Sequence, residues 1–482
     1  MADYSDYTSL TSLGIVPGAD NTAAIQSALN TYDKILVPAG TFRADGLVVT
    51  GRNNFKLHMI GTIKRRDNSP RQSIFAFVNC TNTVIDTIKT DGNAINNKFT
   101  VGGTPWPVDE AKHDIRLDNC TNFTVKTLDS KNPAGDSIYI AGGSSNNTSG
   151  VYIDYVSSVS DEHTGRNAVS IIKGNLFRFG TIISTKTGHQ GDTATGAIAM
   201  PSGFDIEPND VAGDAVSDVI VKELVCTSAG GGGLGIYSVA GRNISDVTIE
   251  KAVITKETDV RSGSACVVIR GAVNVYIVSL DCDGIGISSG VSIDDSQNVT
   301  IRSMSVTNVG GAGLSMGYNA EVSDFNISGF IDNCTGHGCV IYSANHGFMD
   351  LNIKNQSNAS WGIIKDAARG TSSNIEFRGS LAKGNTGGWA FGGGGSSGST
   401  VHNWFLNGVD FTGWTFDRKI GAGSDLSNVR KWRCKNLTEG TGAPTSGVWR
   451  KGDHIINTNL ASATKAWVCT VSGSPGTWTA IT

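Results

Sequence analysis

Two kinds of short segment alternate along this sequence from about residue 80 to about residue 400, and few folds accept such a rhythm. One kind is strand-like and opens near an asparagine, as in "NTVIDTI", "NFTVKTL" and "QNVTIRSMSV". The other is led by glycine or a small residue, as in "GDSIYIA", "NAVSIIK", "GFDIEP", "GLGIYSV" and "GVSIDDS". Successive glycine-led segments lie roughly 22 to 36 residues apart, the length of one solenoid coil. A unit that short cannot bury a core of its own, so each coil must stack on the next. Side chains alternate between the two faces of a strand, which points Ile138, Ile140, Val169, Ile171, Ile236, Val291 and Ile293 inward. The expectation is an all-β chain built as a right-handed parallel β-helix. A leucine-rich horseshoe would need an L-x-x-L-x-L pattern; asparagine and glycine stand at these corners instead.

The flanks differ from the repeat. "GADNTAAIQSALN" offers Asp20 or Asn21 as an N-cap and places Ile25, Ala28 and Leu29 on one helical face. "KILVPAGTF" then reads as strand, turn and strand. A helix there would cover the open end of the solenoid, where unpaired edges invite aggregation. The expected organisation is a cap over 1–50, the β-helix over 51–400, a connecting region over 401–435 and a small β module over 436–482. Trp449, Trp467 and Trp478 in that last module are either its core or a carbohydrate-binding face.

Composition narrows the function. Only 17% of the 482 residues are charged, 61 are glycine and the net charge is −4. Without a Lys/Arg block the chain has no footprint for phosphates, so nucleic acid is not an expected partner. No stretch is apolar for long enough to cross a membrane, and the first residues lack the pattern of a secretory signal. Nine cysteines in no zinc or disulfide spacing predict neither a metal nor a disulfide framework. Cys80 and Cys120 lie in two copies of one pattern, "NCTNTVIDTIKTDG" and "NCTNFTVKTLDSKN", which predicts small buried side chains stacked coil on coil. No cofactor and no metal are called for.

The candidate chemistry lies in "GFDIEPN" at 203–209. If Phe204 and Ile206 point inward, Asp205 and Glu207 point outward together, with Cα atoms about 6.5–7 Å apart. Two carboxyl groups on one face are the minimum equipment for glycoside hydrolysis, one as acid and the other as base or nucleophile, and that backbone spacing leans toward inversion. The competing reading is a pair of turn carboxylates capping backbone N–H groups. Counting from strand ends predicts an outward row of Tyr139, Ser170, Glu207, Tyr237, Arg270 and Asp294, with tyrosines to stack on sugars and Arg270 to hold an acidic sugar. In "DEHTGRN", Arg166 is a candidate substrate ligand, with His163 and Glu162 within reach of the same groove. The long corner at 187–203 could add His189 or Asp192. For β-elimination the alternative bases and cations are Tyr237, Arg270, Lys365 and His163.

"DNTAAIQSALN" followed by "KILVPAGTF", the coils, and a Trp/Gly-rich tail together resemble bacteriophage tailspike capsule depolymerases of the pectate-lyase-like superfamily. The pairing of "RNAVSI" (166–171) with "DIEPN" (205–209) one coil later is similar to segments in many of them. The resemblance covers most of the chain. It implies a homotrimer on a phage tail or baseplate, acting outside the host cell on a bacterial capsular polysaccharide. Hydrolysis is the expected reaction, with a polysaccharide lyase or a non-cutting glycan-binding spike as alternatives. The helix cap begins almost at once, where such spikes usually carry a virion-attachment domain, so attachment would need residues beyond this sequence or an unfamiliar surface.

Overall fold

A computed structural model describes residues 4–101, 104–106, 109, 111–142, 147–188, 203–209, 213–228, 232–238, 241, 243–256, 265–284, 289–354, 362–365, 371–382, 390–393, 401–412, 429–432, 434, 438–447 and 449–482. The chain divides into two compact units, residues 1–272 and 273–482. Both are built of coils that contribute one short and one long strand to two parallel sheets, so the fold is a parallel β-helix.

In the first unit the short strands Ile115–Asp118, Ile138–Ala141, Val169–Ile171, Phe204–Ile206, Leu234–Tyr237 and Ala265–Arg270 pair in parallel one after another. Their inward residues form continuous columns. Ile138, Val169, Phe204, Leu234 and Val267 make one, and Ile140, Ile171, Ile206, Ile236 and Ile269 the next. All ten are buried, and each contributes about 1.5–3 kcal/mol relative to an exposed position. The long strands, among them Thr121–Lys131, Thr148–Thr164, Gly174–Thr187 and Val216–Thr227, form the second sheet.

Glycine leads the short strands because the chain there crosses the long strand of its own coil. A Cβ on Gly203 would stand 2.7 Å from Cys226 Sγ and 2.9 Å from Gly233 O. Asparagine opens the long strands for a different reason. Asn82 and Asn122 have φ of 51° and 53°, a left-handed turn that asparagine tolerates best after glycine. Their side chains bond from coil to coil, with Asn122 Nδ2 3.1 Å from Asn82 Oδ1.

Helix Thr22–Thr31 buries Ile25, Ala28 and Leu29. Its Gln26 side chain pairs with both the N–H and the C=O of Val48 at 2.7 Å, closing the free edge of strand Leu47–Thr50 as another strand would. Cys80 and Cys120 are buried and donate to the carbonyls of Val49 and Phe77, and all nine cysteines are buried thiols.

In the second unit the short strands Ser289–Asp294, Ala312–Met316, Cys339–Ile341 and Ile363–Lys365 repeat the arrangement, with Val291 and Ile293 buried. Lys365 stands in the inward column after Ile293, Met316 and Ile341 and is fully buried. The chain ends in a four-stranded sheet that includes His454–Asn457, Ala466–Val471 and Thr477–Ile481. Trp449 is its core: it is 1% exposed, meets Trp478 edge-on at 5.0 Å, and carries the buried Lys431 ammonium 5.0 Å above its ring.

Candidate functional site

Strand register defines two rows on the outer face of the short-strand sheet. The first runs Arg116, Tyr139, Ser170, Asp205, Gly235 and Val268. The second holds Tyr237 opposite Arg270. Glu207 follows Ile206, whose partner is Ile236, and so falls beside Tyr237. The single row expected from counting strand ends is therefore corrected: Tyr139 and Ser170 belong with Asp205, while Glu207, Tyr237 and Arg270 lie one outward step along. Strand lengths differ from coil to coil, so counting from ends slips by two residues and keeps the face but loses the row.

Asp205 is 6% exposed and flanked inward by the buried Phe204 and Ile206; Glu207 is half-buried. The Asp205 carboxyl is pushed well above the usual carboxylate range, by burial first, then by the negative charge of Glu207 and a hydrogen bond to it. Arg166 opposes the shift and Asp136 adds to it. These surroundings make Asp205 bind a proton more tightly than an ordinary carboxyl does. A hydrogen bond with Glu207 is among those causes, so the two side chains approach each other on this face.

A polar column backs this pair. His113, Asp136 and Asn167 each precede their strand by two residues, at the same place in three successive coils, and all are buried. Asp136 Oδ1 accepts the Asn167 N–H at 3.0 Å. Its Oδ2 faces Arg166 Nη1 at 3.8 Å and His113 Nδ1 at 3.1 Å. The Asp136 N–H also lies 3.3 Å from that imidazole nitrogen, which serves the carboxylate only when it carries a proton to donate to it. Burial works to raise the Asp136 carboxyl, but Arg166 and His113 outweigh it and hold the group below its ordinary value, charged. Asn167 Nδ2 reaches Ser170 Oγ at 2.9 Å and Asp205 Oδ2 at 3.3 Å.

Tyr139 joins column and row. Its ring stacks on His113, with centroids 4.2 Å apart and planes 9° from parallel, and the Arg116 guanidinium lies 5.9 Å from its centroid. Burial first, then the Asp136 charge, raises its phenol; a hydrogen bond with Asn209 works the other way. Beyond the carboxyl pair, Arg270 Nη1 donates to the Tyr237 hydroxyl at 3.2 Å and its guanidinium lies 5.4 Å from the ring.

Other expected residues fall differently. Asp294, in the second unit, is buried and braces a corner: it accepts the N–H groups of Asn319 and Ala320 at 2.9 Å and Asn319 Nδ2 at 2.5 Å. Its carboxylate faces that corner rather than an open groove. Ser170, in the row beside Asp205, is likewise buried, at 2% exposure, and bonded to Asn167. The side chains of Glu162 and His163, and residues His189 and Asp192 entirely, lie outside the described residues. Sequence reasoning missed His113, Asp136 and Asn167. The signal was present, since three polar residues occupy one repeat position in consecutive coils. Among the described residues no group of three or more His, Cys, Asp or Glu could hold a metal, and no helix is long and apolar enough to cross a membrane.

No protein-family model matches the sequence, and no curated protein matches it. Among solved structures the chain is similar to the pre-mature gene product 12 of bacteriophage phi29, with a TM-score of 0.50 and 13% identity over 89% of this chain and 56% of that one. It is similar also to PfbA, a surface adhesin of Streptococcus pneumoniae, with a TM-score of 0.38 and 12% identity over 99% of this chain and 98% of that one. Tailspike protein 3 of bacteriophage CBA120 gives a TM-score of 0.38 and 11% identity over 99% and 69%. The likeness to the phi29 protein lies in the fold, a parallel β-helix, and this chain spans little more than half of that protein's length.

Proposed function

We propose that this chain is a phage tailspike-type depolymerase that binds and hydrolyses a bacterial surface polysaccharide with Asp205 and Glu207. The observation that carries the reading is the carboxyl pair itself: Asp205, buried and with its proton affinity raised, beside Glu207 on a coil face flanked by tyrosines and arginines. A carboxyl whose proton affinity is raised in this way can serve as a general acid. Asp205 gives its proton to the glycosidic oxygen as the bond to the anomeric carbon breaks. A water attacks that carbon, and Glu207 takes the proton the water loses. The pair must part as the sugar enters, and Glu207, the more exposed partner, is the side chain with room to move. Tyr139 and Tyr237 offer ring faces to pyranoses, and Arg270 and Arg166 offer positive charge. Trimerisation and attachment to a virion tail belong to the same proposal.

One observation favours a second reading. A phenol hydrogen-bonded to a guanidinium, as Tyr237 is to Arg270, suits β-elimination, in which the cation binds a uronate carboxylate and the phenol oxygen takes the α-proton.

The test is incubation of the protein and its Asp205→Asn and Glu207→Gln variants with a panel of bacterial capsular polysaccharides, with products read by mass spectrometry. Hydrolysis predicts one added water per cut and a loss of about 10²–10⁴ in rate in each variant, with binding retained. Unsaturated products and undiminished cutting in the variants would assign the chemistry to Tyr237 and Arg270. Binding without products from any member of the panel would leave a glycan-binding spike.

A further inference from the structure

Asp136 touches no open surface, yet it contacts side chains from the coils on both sides. It is fully buried, at 0% exposure, in the corner before strand Ile138–Ala141. A charge in such a place is retained only where partners surround it. Here they are the Asn167 N–H at 3.0 Å, His113 at 3.1 Å and Arg166 at 3.8 Å. Each partner leads toward the face where Asp205 stands. Asn167 turns its amide to Asp205 and Ser170, His113 lies flat against Tyr139, and Arg166 is the cation that acts on Asp205. We infer that Asp136 is a positioning residue, a buried fixed anion that holds Arg166, Asn167 and His113 in place around the Asp205–Glu207 pair.

The inference rests on the reading of that pair as the reactive site and adds to it a buried group that tunes its protonation. The groups facing Asp205 among the described residues are Glu207 on its own segment and, from the preceding coils, Arg166, Asp136, Asn167 and Ser170. Two of them oppose each other. Asp136 favours the proton on Asp205, and Arg166 disfavours it. Asp136→Asn removes the anion and frees Arg166 to turn toward the remaining carboxyls, and both changes weaken Asp205's hold on its proton. Arg166→Gln removes the cation and strengthens it.

The experiment is infrared difference spectroscopy of the intact protein against its Asp205→Asn variant. It isolates the C=O stretch of the protonated Asp205 carboxyl and follows its loss with pH. This readout needs no substrate. In Asp136→Asn the loss should move down by about one pH unit or more, and in Arg166→Gln it should move up by a similar amount. Movement of both variants in one direction, or of neither, overturns the inference. Should Asp136→Asn fail to fold, Arg166→Gln still decides: an unchanged or lowered transition overturns it. Shifts as expected in a protein that cuts no polysaccharide would sink the hydrolase reading alone. Cutting without the shifts would sink the role of Asp136 alone.

Discussion

Replacing Asp114 with asparagine should change how the stability of this protein depends on pH. Asp114 lies next to His113 and is 0% exposed. Its Oδ2 accepts Ser130 Oγ at 2.7 Å and Thr90 Oγ1 at 2.8 Å, and its Oδ1 is 3.8 Å from the buried Arg65 guanidinium. Burial pushes its carboxyl up from 3.8 to about 6, against the pull of Arg65 and the two hydroxyls. The folded state thus binds this proton more tightly than the unfolded state does. The stabilisation is fully present below the unfolded value, is lost as pH rises through about 6, and is absent above it. A difference of about two pH units at 1.36 kcal/mol each makes this about 3 kcal/mol. Asparagine keeps one oxygen to accept both hydroxyls and has no proton to lose. Urea unfolding followed by tryptophan fluorescence, at several values between about pH 4 and pH 8, should therefore show the wild type losing about 3 kcal/mol relative to Asp114→Asn across that range. Parallel curves for the two proteins would refute the reasoning, because Asp114 would then bind its proton equally well in both states.

Leu176 has φ of 60° at a register position where neighbouring coils place Gly150 and Asp218, so Leu176→Asn should raise the unfolding free energy by about 1 kcal/mol, read as a higher urea midpoint with an unchanged slope. A Cβ on Gly347 would fall 1.9 Å from the Phe325 ring, so Gly347→Ala should cost at least about 1–3 kcal/mol, and Phe325→Leu should recover part of that in a double-mutant cycle. Trp449→Ala should destabilise the C-terminal sheet by about 3–5 kcal/mol, read as lost near-ultraviolet dichroism.

Legibility in the sequence followed periodicity. The inward columns through Ile140, Ile171, Ile206 and Ile236 could be read because stacking imposes the same two-residue alternation on every coil. The outward face of Asp205 and Glu207 came from the same rule. Their row did not, since register between strands of unequal length depends on where each corner ends. Asp294 shows the limit in another way: its outward turn placed it against Asn319 and Ala320, a contact that no spacing in "SIDDSQN" specifies.

The sequence by itself determined that short strands stack into coils, which faces they bury, and that two carboxyl groups share an outer face. A coil too small to bury its own core leaves no other arrangement for that alternation. Only the tertiary structure decided how tightly Asp205 binds a proton. The burial that raises the proton affinity of Asp205 and the charges of Arg166 and Asp136 around it come from side chains distant along the chain, as Asn167 and Asp205 are by 38 residues; proton affinity depends on that through-space surrounding, which strand periodicity does not encode.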